Sequence, residues 1–101
     1  MSPARMISPP PPSHLDNARV LHYAISRSGR FYDMMTTDGA LHCVIAAFAI
    51  CRYDSDPRVI YLFGCTGEWE VESDTDFATV EEAMQTAASH AEGQTLEWVA
   101  V

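Results

Sequence analysis

Three cysteines, Cys43, Cys51 and Cys65, and four histidines, His14, His22, His42 and His90, carry the groups best suited to nucleophilic or metal-binding chemistry. An odd number of cysteines without a C-x-x-C pair supplies neither a disulfide framework nor the spacing of a closed zinc site. The thiols therefore read as reduced and partly buried, and no metal or other cofactor is expected. A cysteine nucleophile needs a base to form its thiolate. Cys43 follows His42 directly, but successive strand residues point to opposite faces, so the adjacency argues for a structural thiol.

Carboxylates form the second chemical group. Glu68, Glu70, Glu72, Asp74, Asp76, Glu81 and Glu82 make a run of one sign. Glu68/Glu70 and Asp74/Asp76 are residue pairs of the type used in acid–base catalysis or calcium binding. The run lacks the D-x-[DN]-x-[DN]-G spacing of a calcium loop and alternates like a strand, which points to a solvated face. The chain also contains no G-x-S-x-G elbow, no H-E-x-x-H helix and no P-loop. No catalytic residue is singled out, and a non-enzyme is expected.

Charge is divided unevenly. Six arginines and five acids precede Val59, whereas nine acids and no Arg or Lys follow, so the formal charge is +1 against −9. Such a field repels nucleic-acid backbones and anionic lipid and favours a cationic partner. Lysine is absent, which excludes a Schiff-base lysine and a phosphate-binding lysine. No apolar run approaches the roughly 18 residues of a membrane helix, and no charged start leads into an apolar stretch. A cytoplasmic protein that binds neither membrane nor nucleic acid is expected.

A chain of 101 residues, 48% hydrophobic and 10% aromatic, has the size and apolar content for one buried core. Residues 1–17 hold five of the six prolines, including Pro9 to Pro12, and read as a flexible tail before a single domain over residues 18–101. Ala18 to Arg27 and Phe31 to Thr37 are expected as a hairpin across Ser28-Gly29. Asp38-Gly39 signals a type I′ turn into the next strand. Ala40 to Tyr53 fits a helical stripe through Leu41, Val44, Ile45 and Phe48 as well. A long central strand is preferred, because a helix opening at Gly39 would waste the hairpin signal. Asp54 to Pro57 is then a turn into a strand over Val59 to Cys65. A four-residue loop there pairs Phe48 with Phe63 and Cys51 with Ile60, leaving Cys65 on the face opposite Cys43 and Cys51. A one-residue slip would reverse that.

Glu68 to Glu72 alternates as a half-exposed strand with Trp69 and Val71 inward. Thr79 and Glu82 make a capping box for a helix over about Val80 to Ala91, which Gly93 ends. Leu96, Trp98 and Ala100 alternate in a last strand. The expected fold is α+β: an antiparallel sheet of five or six strands in the order βββββαβ, with one C-terminal helix on one face.

The residues Tyr61-Leu62-Phe63-Gly64-Cys65, Glu68-Trp69-Glu70-Val71, Ser73-Asp74-Thr75, Thr79-Val80-Glu81-Glu82-Ala83, Ala87 and Trp98 resemble a pattern of small, uncharacterised bacterial α+β proteins. The resemblance covers residues 58–98. It implies a compact α+β unit and assigns no functional residue.

A single helix cannot cover both faces of a sheet whose central strand is apolar on both. An exposed layer holding Phe48, Tyr61 and Phe63 is therefore expected to drive self-association. The leading functional expectation is a non-catalytic protein-binding module of the inhibitor or immunity kind, using an acidic face of Glu68, Glu70, Glu72, Asp74 and Glu81 against a basic protein. The alternative is a small Cys/His enzyme or ligand-binding protein with a pocket between helix and sheet.

Overall fold

The apolar stretch after Gly39 is extended, as expected, but it forms two strands. In the computed structural model, which describes residues 9–101, β4 (Leu41–Ile45) and β5 (Ala47–Arg52) are separated by Ala46. Ala46 is where the chain changes sheets: its N–H donates to the Cys65 carbonyl at 2.9 Å, and its carbonyl accepts from Ser26 N–H at 2.9 Å. β4 pairs with β3 (Tyr32–Met35) in a two-stranded ribbon. β5 lies inside an antiparallel sheet ordered β1 (His14–Leu15), β2 (Ala18–Ile25), β5, β6 (Ile60–Cys65) and β7 (Val71–Phe77). The short β8 (Val99–Ala100) also pairs with β2, making six strands.

The sequential hairpin expected across Ser28-Gly29 does not form. β2 pairs with β5 and not with β3, because the turn leads outward into the ribbon. The buried Ser26 hydroxyl holds that departure: it accepts from Arg30 N–H at 3.1 Å and lies 2.8 Å from Gln94 Oε1.

The boundary expected between residues 17 and 18 falls inside a hairpin. Asp16 (φ 48°) and Asn17 (φ 68°) are both left-handed, the signature of a type I′ turn, and they pair Leu15 with Ala18. Leu15 is buried, so the described part of the expected tail belongs to the fold. Residues 1–8 lie outside the described residues. At Asp38-Gly39 only the glycine has positive φ, and the loop runs from Thr36 to Ala40 with Gly39 N–H donating to Thr36 O at 3.0 Å. Thr66 to Glu70 repeats that loop, with Trp69 (φ 65°) standing where Gly39 stands. Trp69 therefore ends a hairpin loop, and β7 starts at Val71 and runs to Phe77, later than the expected strand over residues 68–72.

Register decides what each face carries. Ala47 pairs with Cys65, Ala49 with Phe63 and Cys51 with Tyr61, one residue away from the expected pairing. The turn spans Tyr53 to Val59, and the longer loop shifts the strands by one. Ala47, Ala49, Cys51, Phe63 and Cys65 now share one core with Leu15, Val20 and Trp69. Phe48, Ile50 and Leu62 share the other with the helix. Cys51 and Cys65 thus lie on the same face, contrary to the expected arrangement, and both are free thiols.

The expected sticky layer is absent. The sheet curls, and the face away from the helix is closed by Leu15 and Trp69 with half-buried Tyr23, Tyr53 and Tyr61. Phe48 and Phe63 are only 2% and 1% exposed and belong to different cores, so Phe48, Tyr61 and Phe63 form no common exposed patch. The reason for expecting self-association goes with it. Among the described residues, the large apolar side chains that do face water are Met35, Leu41, Val99 and Val101.

Helix α1 (Val80–His90) packs Ala83 and Ala87, together with its cap residue Ala91, onto the sheet without exposing any of them. The small side chains permit that close approach. Thr79 Oγ1 accepts from Glu82 N–H at 3.1 Å, and Glu82 returns the bond to Ala78 N–H at 3.2 Å, one residue before the expected Thr79 amide. Glu92 (φ 53°) and Gly93 (φ 84°) are both left-handed beyond the helix end. Among the described residues no helix is long and apolar enough to cross a membrane.

Candidate functional site

The densest meeting of chemically distinct side chains lies where the ribbon approaches the start of β7. Met34 pairs with Cys43 and Met35 with Leu41, so His42 is the extra residue of a β-bulge. Gly64 pairs with Ser73 and Cys65 with Val71, so Glu72 is the extra residue of a second bulge. A bulge interrupts the alternation of side chains and re-aims the residue it inserts. His42 consequently meets its neighbour Cys43, and Glu72 meets both. One donor atom from each of the three lies within 4.8 Å of the others.

Gly64 makes this approach feasible. A Cβ at that position would stand 2.5 Å from Ser73 Oγ, 3.1 Å from the Tyr32 hydroxyl and 3.6 Å from Ile45 Cγ2. A side chain there would displace Ser73 Oγ and press on the Tyr32 hydroxyl of the ribbon, while Ile45 would remain at ordinary contact distance.

Within the trio, His42 Nε2 lies 3.1 Å from Glu72 Oε1, with the imidazole half exposed and the carboxylate mostly covered. Cys43 is half-buried. Desolvation, then the negative charges of Glu72 and Glu70, raise the Cys43 thiol above its ordinary range, so it is not an activated nucleophile. Burial pushes Cys51 and Cys65 up to about 12. These two are structural thiols.

Between α1 and the sheet lies a cleft of about 210 Å³, floored by Phe48 and Leu62 and rimmed by Tyr32, Ser73, Thr75, Thr86 and His90. It occupies the place expected for a ligand pocket, but no cysteine lines it. The Tyr32 and His90 rings stand 5.8 Å apart.

The expected acidic face is divided by the fold. Glu68 and Glu70 flank Trp69 in the hairpin loop, Glu72 turns to the ribbon, Asp74 pairs with Phe63, and Glu81 belongs to the first turn of α1. Glu68, Glu70, Asp74, Asp76 and Glu81 are exposed. Among the described residues the arginine ion pairs engage Asp33, Asp54, Glu92 and Glu97 and none of those five acids. β7 is also the edge of its sheet, where charge discourages unwanted strand pairing.

The bulged trio is the arrangement that sequence reasoning missed. A bulge leaves no residue-type signature at His42 or Glu72, and strict alternation pointed the wrong way. Compared with known proteins, the chain matches no family model, no curated protein and no solved structure.

Proposed function

We propose that this chain is a cytoplasmic, non-catalytic binding module of the inhibitor or immunity kind whose acidic C-terminal half meets a basic protein surface. The observation that carries the reading is the edge strand β7 with its preceding loop, where Glu70, Asp74 and Asp76 face solvent and, among the described residues, have no arginine counter-ion. Unneutralised charge on an edge accelerates encounter with a partner of opposite sign. It repels a second copy of the chain and nucleic acid alike. The raised thiols support the non-catalytic part of the reading.

The test is capture of a basic binding partner by the immobilised full chain at rising salt. Capture is expected to fall steeply toward about 1 M salt, where the screening length is about 3 Å. It is also expected to fall in the Asp74→Asn/Asp76→Asn double variant and to persist in Cys43→Ala. Salt-insensitive capture that Cys43→Ala abolishes overturns the proposal. The second reading, a small-ligand site, is favoured by the apolar floor and hydroxyl rim of the cleft. Filling that cleft by Thr86→Leu separates the two, since only ligand binding depends on the free space.

A further inference from the structure

We propose that His42, Cys43 and Glu72 bind one divalent transition-metal ion, with zinc the matching element, at the junction of the ribbon and β7. The site offers an imidazole nitrogen, a sulfur and a carboxylate oxygen from two different strands. Thiolate disfavours magnesium and calcium, which take oxygen ligands, while zinc accepts all three donor types. Zinc bonds of about 2.0–2.3 Å in a tetrahedron place neighbouring donors roughly 3.3–3.6 Å apart. The observed 3.1 Å between His42 and Glu72, with the whole trio inside 4.8 Å, needs only small side-chain adjustments to close on an ion.

Two further observations favour a cation at this place. Both His42 and Glu72 reach the trio through bulges, which are over-represented at sheet edges and next to active sites, where they re-aim a side chain. The negative charges of Glu72 and of nearby Glu70 beside Cys43 attract a positive ion. On binding, the Cys43 S–H bond gives its proton to solvent and the sulfur electron pair goes to the metal. His42 ligates as the neutral ring and Glu72 as the carboxylate, so no redox partner is involved. Three protein ligands leave a fourth position open on the solvent side, where the imidazole is exposed, and water completes the shell.

The inference is independent of the basic partner proposed above and is tested on the full chain alone. Chelator-treated protein is titrated with Zn²⁺ by calorimetry and with Co²⁺ by absorbance. One equivalent of each is expected to bind, with Co²⁺ giving a thiolate charge-transfer band. His42→Ala, Cys43→Ala and Glu72→Gln should each weaken Zn²⁺ binding at least about tenfold, the lower end of what even outer-shell changes cost. The charge-transfer band should vanish in Cys43→Ala, and His14→Ala should bind like the parent. Should a variant fail to fold, the parent still decides the matter: Zn²⁺ is expected to protect Cys43 from iodoacetamide, read by mass spectrometry of the Cys43 peptide. Cys43 alkylation at the same rate with and without Zn²⁺, or affinity unchanged in all three folded variants, overturns the proposal.

Discussion

The indole N–H of Trp69 donates to the carbonyl of Pro9 at 2.7 Å, fastening the segment before β1 to a hairpin loop 60 residues later in the chain. The same side chain meets Tyr23 edge to face at 5.9 Å and is only 7% exposed. Its backbone is left-handed, which costs an L-residue about 1–2 kcal/mol. Burial of the ring offsets that strain. Trp69→Phe should lose about 1 kcal/mol with the hydrogen bond. Trp69→Gly relieves the strain but forfeits about 3–5 kcal/mol of packing, for a net loss of about 1–4 kcal/mol. Urea unfolding of the two variants checks the order; a Gly variant as stable as the parent would show that the ring contributes no more than the backbone strain it offsets.

Gly39 occupies the equivalent loop position with φ 88° and no atom within 4 Å of an added Cβ. Gly39→Ala therefore reports backbone strain alone and should destabilise by about 1 kcal/mol. Thermal unfolding would contradict this if the variant melted with the parent.

Gly64 differs because its difficulty is space. An added Cβ meets Ser73 Oγ at 2.5 Å, so Gly64→Ala should cost about 1–3 kcal/mol through overpacking. Removing the opposing atom in Gly64→Ala/Ser73→Ala should restore part of the loss. The two changes are in contact and cannot add independently. Simple additivity in a double-mutant cycle would refute the steric account.

Local signals were legible and non-local ones were not. Thr79, Glu82 and Gly93 mark α1 because capping is a contact between residues three or four apart. The extended state of Leu41 to Arg52 was readable from its apolar character beside a turn. The division at Ala46 was not, because it depends on hydrogen bonds to Ser26 and Cys65 contributed by distant strands. One residue of error at the Tyr53–Val59 loop moved every side chain of β6 to the wrong face and produced the expected sticky layer. The type I′ turn at Asp16-Asn17 escaped notice because the neighbouring prolines suggested a tail. The candidate site was hidden for a related reason. His42, Cys43 and Glu72 come together only because two strands each insert one residue.

The three thiols should divide sharply by reactivity. Cys51 and Cys65 are fully buried, whereas Cys43 is half-buried at the ribbon. Native protein treated with a disulfide reagent should therefore release about one equivalent slowly, and about three after denaturation. Cys43→Ala should remove the native equivalent. Fast reaction of all three thiols in the native protein would mean that the core opens far more readily than its packing implies.

Alkaline pH should loosen the fold through the buried pair. Burial raises Cys51 and Cys65 from 9.0 to about 12, so the folded state keeps protons that the unfolded chain releases. Their contribution is fully present below about pH 9 and is lost as pH rises toward 12, because the unfolded state then binds fewer protons. Cys43 and Tyr53 are raised as well and act in the same direction, but both reach the surface and weigh less. Unfolding free energy measured from about pH 8 to about pH 10 should fall with a slope that Cys51→Ala/Cys65→Ala makes shallower, whatever the variant loses in packing. An unchanged slope in the double variant would place the alkaline sensitivity elsewhere and show that these thiols ionise freely in the folded protein.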